Sequence, residues 1–270
     1  MSMSVGLKDR VVLITGAGQG IGRIIAREFA AAGAKVVIAD VQQQKGDSTV
    51  AAIDKAGGKA FFVQTDLRSE PTIRAMVEGA VGHYGRLDVL INNARPYLKV
   101  LSYEESFKEW DLAMDVLLKA PALCVRYALP ALRRTSGAII NISSTNAMSI
   151  SHQPASYHVA KAGLLHLTRY LAHELGKDGI RVNAICPGLV DIRDEERKLF
   201  SDDPVNKAVA ELILPIKKVP TAERIAQVAI FLSSPEAECV TGQVLTVDSG
   251  MTLSDQFHVS REVHRKFAKG

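Results

Sequence analysis

Short runs of consecutive apolar residues alternate along the chain with longer stretches whose apolar positions recur every three or four residues. The short runs cover 11–15, 35–39, 60–64, 87–92, 138–143, 181–186 and 244–247. Most are apolar throughout rather than alternating, as in strands buried on both faces of a parallel sheet. Between them, 21–32, 71–84, 103–133, 155–176 and 222–233 carry the helical period. Strand–helix alternation of this kind predicts an α/β fold, a doubly wound parallel sheet with helices on both faces. No repeat, low-complexity tract or linker interrupts it, so residues 1–270 read as a single domain.

Two segments break the rhythm. Residues 187–220 open on Pro187-Gly188, run through Asp191, Arg193, Asp194, Glu195, Glu196, Arg197 and Lys198, and close near Pro215 and Pro220. An insertion after a strand end is where substrate loops are found, which makes about 189–215 the candidate loop. The tail, 251–270, is polar, carries His258 and His264 and has no evident sheet partner. It either frays or docks on a neighbouring subunit.

Composition narrows the function classes. The 270 residues are 47% hydrophobic and 23% charged, with net charge +4, an ordinary soluble balance. Basic residues are interspersed with acids, which argues against a nucleic-acid partner. No apolar run approaches the length of a bilayer span, so no membrane partner is expected. The N-terminal MSMSVGLKDR lacks a signal-peptide core. Cys124, Cys186 and Cys239 are far apart in apolar or mixed stretches and read as buried free thiols in a reducing, cytoplasmic setting. Neither they nor the histidines form a metal set; His166 and His173 read as surface or subunit-contact residues.

The first strand is followed at once by Gly16-Ala17-Gly18-Gln19-Gly20-Ile21-Gly22. Glycines at a strand–helix junction allow a tight turn and close backbone approach to a pyrophosphate, and the helix N-terminus supplies N–H donors. The spacing, Gly-x-x-x-Gly-x-Gly, differs from the commoner Gly-x-Gly-x-x-Gly. Asp40, at the end of the second strand, stands where a ribose-binding carboxylate belongs. It would accept from a 2′-hydroxyl and repel a 2′-phosphate, and neither 17–19 nor Val41 supplies a neutralising cation, so the cofactor expected is NAD. Asp66, after the third strand, has two open readings, an adenine contact or a turn cap.

Tyr157 falls in the first turn of a helix introduced by Pro154, where the positive dipole end favours a phenolate. Lys161, four residues on, shares its face and lowers the tyrosine pKa from about 10. Ser144, just past the fifth strand, can hold a substrate oxygen in line with Tyr157. Such a set suits proton exchange with an alcohol during hydride transfer.

Taken in order, the stretch 15–22, Asn92-Asn93-Ala94, Ser144, Tyr157-x-x-x-Lys161, Asn183 and Pro187-Gly188 resemble the short-chain dehydrogenase/reductase family, classical branch. The resemblance spans about 8–250. It implies a Rossmann-type sheet of seven strands, a nicotinamide cofactor, a small alcohol or ketone substrate, and a homotetramer or homodimer. It also implies that Lys161 bonds the nicotinamide ribose. With the reading above, the cofactor contacts expected are Gly16, Gln19, Gly20, Ile21, Asp40, Asp66, Leu67, Asn93, Ala94, Tyr157, Lys161, Pro187, Gly188 and Val190.

Two positions depart from the family. The glycine usual after Asn-Asn-Ala is Arg95, followed by Pro96 and Tyr97; it either meets a substrate carboxylate or phosphate or points into solvent. Asn146 and His152, near the tyrosine, are further candidates for the substrate side. The asparagine held to anchor a water in the family's proton relay is replaced by Leu117, so the relay is rerouted, slower or unnecessary. Two other functions therefore stay open: a nucleotide-binding regulatory protein that has lost the reaction, and a 3-oxoacyl-thioester reductase, which Asp40 disfavours because such enzymes generally prefer NADP.

Overall fold

The computed structural model describes residues 6–99, 102–192 and 202–268. Seven strands form one parallel sheet: β1 (Val11–Thr15), β2 (Lys35–Asp40), β3 (Lys59–Gln64), β4 (Val89–Asn92), β5 (Ala138–Ile142), β6 (Arg181–Pro187) and β7 (Val244–Val247). Their order is β3-β2-β1-β4-β5-β6-β7. Because β1 pairs with both β2 and β4, the winding reverses beside it, and the carboxyl ends of these strands border a crevice.

Alternate side chains of each strand serve opposite faces, which is why the strands read as continuously apolar. Val12, Ile14, Val36, Ile38, Val89, Ile91 and Ile140 face a cluster that includes Ile25 and Phe29 of α1 (Gly20–Ala31), Ile53 of α2 (Gln43–Lys55) and Ile225 of α8 (Ala222–Ser233). Val11, Leu13, Val37, Leu90, Ile139 and Val182 face the second cluster. There they meet α3 (Glu70–Tyr84), α5 (Ala120–Thr135) and α6 (Ala155–Leu175). Full burial of one such side chain is worth roughly 1.5–3 kcal/mol, so the two faces together fix the sheet.

Helix α2 is absent from the sequence expectation. Its buried residues are Gly46, Thr49 and Ile53 alone, a stripe too thin to stand out among polar neighbours. The loop expected at about 189–215 contains α7 (Pro204–Ile213), capped by Asp203, whose carboxylate accepts from the N–H groups of Val205 and Asn206. Residues 193–201, which include Arg193 to Lys198, lie outside the described residues. In the tail, Asp255 caps α9 (Gln256–Phe267). Of the cysteines, Cys124 and Cys186 are buried, and burial pushes the Cys124 thiol up to about 12. Cys239 is exposed, against the expectation of burial, because it follows a surface 3-10 turn at Pro235–Ala237. No helix among the described residues is long and apolar enough to cross a membrane.

The helix expected over 103–133 is broken. It starts as α4 (Phe107–Met114), where Ser106 Oγ accepts from the Glu109 N–H. A π turn follows at Asp115–Lys119, with the Ala120 N–H bonded to the Asp115 carbonyl five residues back. Pro121 explains the break: it has no N–H for the carbonyl of Leu117, and its ring crowds that carbonyl. Leu117 lies in the π turn, buried and turned toward α6.

Candidate active site

The cradle begins where β1 ends. Gly16 turns with φ +65°, and a Cβ there would lie 2.7 Å from Ala94 Cα, so glycine is required on both counts. Asn93 Nδ2 donates to the carbonyls of Thr15 and Gly16 at 3.0 and 3.1 Å. Thr15 Oγ1 accepts from the N–H groups of Asn93 and Ala94 at 3.0 and 3.2 Å. The end of β4 thereby clamps the turn that opens α1. No side chain caps α1 at Gln19, and Gly20, Ile21 and Gly22 of its first turn line the crevice, the setting in which helix N-termini receive anions.

Asp40 is buried, and each carboxylate oxygen has a backbone donor. Oδ2 accepts from Gly18 N–H at 2.9 Å and Oδ1 from Gln42 N–H at 3.0 Å. The carboxylate is thus held rigidly at the rim of the cradle with lone pairs to spare. A cation lies nearby that the sequence reading overlooked: Lys45 of α2 lines the same crevice and its ammonium is hydrogen-bonded to Gln19 Oε1. Asp66 also borders the crevice. Its carboxylate is engaged by Arg68, through the Nε–H at 2.9 Å and the backbone N–H at 2.9 Å. This is the turn-capping arrangement, and the guanidinium's hydrogen bonds hold the Asp66 carboxyl below its usual range.

At the other end, Ser144 follows β5 and starts a 3-10 turn at Thr145–Ala147. Its Oγ accepts from the Asn146 N–H at 3.2 Å, which leaves its own hydrogen available to a ligand. Tyr157 and Lys161 stand one turn apart on α6, and both are buried. Glu105 secures the N-terminus of that helix, accepting from Ser156 N–H at 2.7 Å and Ser156 Oγ–H at 2.5 Å. Lys161 Nζ donates to the Ile142 carbonyl at 2.7 Å and lies 5.8 Å from the centre of the Tyr157 ring. Burial, with the Arg95 charge adding to it, lowers the Lys161 pKa to about 7. His158 is taken up structurally: Nε2 accepts from Ser151 N–H at 3.1 Å, which leaves Nδ1 to donate to the Pro154 carbonyl at 2.9 Å.

One cleft of about 820 Å³ joins the two ends. Its walls include Gly16, Gln19, Gly20, Ile21, Asp40, Asp66, Leu67, Asn93, Ala94, Pro187, Gly188 and Val190, together with Arg95, Ser144, Tyr157 and Lys161. Asn146 and His152 are not among the lining residues, and His152 is exposed. Gln153 lines the cleft beside Tyr157; as a lone amide in a loop it gave no sequence signal. The cleft's length, its glycine turn and its uncapped helix end suit an extended dinucleotide with its pyrophosphate at α1.

A family model described as "Enoyl-(Acyl carrier protein) reductase" matches residues 16–252. A 3beta-hydroxysteroid dehydrogenase 1 of Eggerthella lenta is 36% identical over 254 residues, covering 93% of this chain and 97% of the relative. A 3-oxoacyl-[acyl-carrier-protein] reductase of Chlamydia muridarum is 35% identical over 247 residues, covering 91% and 98%. A crystal structure of a dehydrogenase/reductase from Sinorhizobium meliloti 1021 superposes with TM-score 0.83 at 30% identity, covering 92% of this chain and 97% of that one.

Proposed function

The chain belongs to the short-chain dehydrogenase/reductase family of oxidoreductases, and from that premise we propose that it moves a hydride between NAD(H) and a small secondary alcohol or its ketone. The observation that carries the reading is the single cleft that joins an Asp40-rimmed phosphate cradle to Ser144, Tyr157 and Lys161.

The nicotinamide, when bound, takes up or returns the hydride. In the oxidising direction Tyr157 Oη receives the proton of the substrate hydroxyl, and in reduction it returns that proton. Ser144 Oγ–H donates to the substrate oxygen and fixes its place beside Tyr157 Oη. Lys161, anchored to the Ile142 carbonyl, stabilises negative charge on the tyrosine oxygen and holds the ribose on the cleft wall. Pro187, Gly188 and Val190, which line the cleft, would hold the nicotinamide end of the cofactor, and Asp66 and Leu67 its adenine end. Arg95 faces the substrate. Of the segment 189–215, Val190 and Ile192 line the cleft.

The preference for NAD rests on Asp40, whose lone pairs suit ribose hydroxyls and repel a 2′-phosphate. Lys45 supports a second reading: an ammonium beside Gln19 offers a 2′-phosphate some compensation, as NADP-linked reduction of a 3-oxoacyl thioester would require. We place the enzyme in the cytoplasm as a homotetramer or homodimer. Exposed Phe107 on α4 and exposed Val159 and Tyr170 on α6 favour pairing of these helices with their copies.

The test is spectroscopic. The protein is mixed with NAD and a panel of secondary alcohols, and NADH absorbance is followed for the wild type and for Tyr157→Phe. Turnover that Tyr157→Phe reduces at least 100-fold, roughly the share of a general acid–base group, supports the reading. Cofactor binding with no turnover across the panel favours a regulatory nucleotide-binding role.

A further inference from the structure

The two ends of the cleft differ in charge. Both acids that line it, Asp40 and Asp66, border the cradle, and Asp66 is paired with Arg68. The catalytic end is lined by Arg95, Lys99 and Lys161 and, among the described residues, by no carboxylate. Of the acids that follow in sequence, Glu105 is engaged by Ser156 and Glu109 accepts from the Lys99 N–H at 2.9 Å, and Glu104 is not among the lining residues.

Arg95 stands out within this group. Its guanidinium carbon lies 4.9 Å from the centre of the Tyr157 ring, stacked over the residue that carries the acid–base oxygen. One Nη2–H is donated to Gln153 Oε1 at 2.8 Å, which orients the plane. No acid pairs with it among the described residues, and its other N–H donors remain for a ligand. The sequence puts this side chain where the family resemblance implies glycine, so the site gains a planar fork. Such a fork matches a carboxylate through two parallel hydrogen bonds. Two cations facing one volume also repel: Arg95 contributes to the lowered pKa of Lys161, and an anion between them would relieve this.

We propose that the substrate is a small hydroxy acid, or the matching oxo acid, whose carboxylate is received by Arg95 while its carbinol oxygen lies between Ser144 and Tyr157. The stacking of Arg95 on Tyr157 requires the two groups of the substrate to be near one another, as in short aliphatic or single-ring hydroxy acids. The proposal rests on the hydride-transfer reading above, of which it names the substrate class.

The test separates the two. Protein loaded with NADH is titrated with butyrate and cyclohexanecarboxylate, each against its neutral carboxamide, and bound-NADH fluorescence reports occupancy. NADH is chosen because its neutral ring adds no attraction for anions. The expected result is tighter binding of both acids than of their amides, weakened about 10- to 100-fold in Arg95→Gln, as for loss of hydrogen bonds to a charged group. Binding of the amides should change less than about threefold, the scale of an exposed substitution without a lost contact. Arg95→Lys should recover part of the affinity, since it restores the charge without the fork. Amides that bind as well as acids, or acid binding unmoved in Arg95→Gln, would overturn the assignment. Failure of NADH itself to bind would instead remove the cofactor reading beneath it.

Discussion

Leu117 and Tyr157 share a small apolar cluster with Leu98, Ala113 and Ala160. The flank of Tyr157 that meets Leu117 is therefore apolar, where the family resemblance implies an amide. Leucine fits because its side chain, in the π turn, packs into that cluster. Leu117→Ala should cost about 2–5 kcal/mol of stability, the range for a buried leucine truncation. Leu117→Met, which conserves volume, should cost under about 1.5 kcal/mol. Urea unfolding of the three proteins checks this, and equal losses for both variants would argue against tight packing on Tyr157.

Cofactor choice should follow two side chains in opposite directions. Asp40→Ala should narrow the ratio of kcat/KM for NAD over NADP by at least tenfold, because a held carboxylate no longer repels the 2′-phosphate. Lys45→Ala should widen the same ratio. A ratio unmoved in Asp40→Ala sinks the cofactor argument, whatever Lys45 does.

Gly22 sits where the first turn of α1 passes the phosphate loop. A Cβ there would meet the Gly16 carbonyl oxygen at 2.2 Å and Asn93 Nδ2 at 2.4 Å, contacts that only a backbone shift relieves. Gly22→Ala should therefore abolish measurable cofactor binding and also lower the melting temperature. A variant that binds normally would show the turn to be more yielding than its geometry implies.

The pH dependence of stability has a definite sign. Lys161 titrates near 7 in the folded protein against an ordinary 10.5, chiefly through burial. Below about 7 both folded and unfolded chains hold the proton, and the burial penalty is felt in full. Between about 7 and 10.5 only the unfolded chain holds it, so stability contributed by this site rises with pH. The difference in unfolding free energy, wild type minus Lys161→Met, should grow from pH ~6 to ~9 by on the order of 1–3 kcal/mol in cofactor-free protein. A flat difference would mean that the ammonium is solvated or paired in the fold.

A buried amide chain ties the sheet to α6. Thr168 Oγ–H donates to the Leu164 carbonyl at 2.8 Å, and Oγ accepts from Asn141 Nδ2 at 2.9 Å. Asn141 Oδ1 then accepts from Asn92 Nδ2 at 2.8 Å. The single hydroxyl proton of Thr168 fixes both amide orientations. Thr168→Val leaves the Asn141 donor unsatisfied and should cost about 1–3 kcal/mol, read by urea unfolding; a neutral result would show that the chain has another acceptor.

Sequence alone determined the seven strands, because burial on both faces writes the inner ones as nearly unbroken apolar runs, and the less buried edge strands β3 and β7 keep a mostly apolar run. It also placed the glycine turn, Asp40, Ser144, Tyr157 and Lys161 at the strand ends and helix start that border the cleft, because local pattern fixes their spacing to those ends. Helix α2 was hidden by its thin buried stripe, and α7 by an insertion that reads as a loop. The break at Asp115–Lys119 was written in Pro121 but masked by the strong helical period on either side. Only the tertiary structure brought Arg95 over Tyr157, Gln153 to Arg95, Lys45 to Gln19 and Leu117 onto the tyrosine. These contacts join residues 26 to 62 positions apart, and no local pattern encodes a meeting that depends on how strands and helices are stacked.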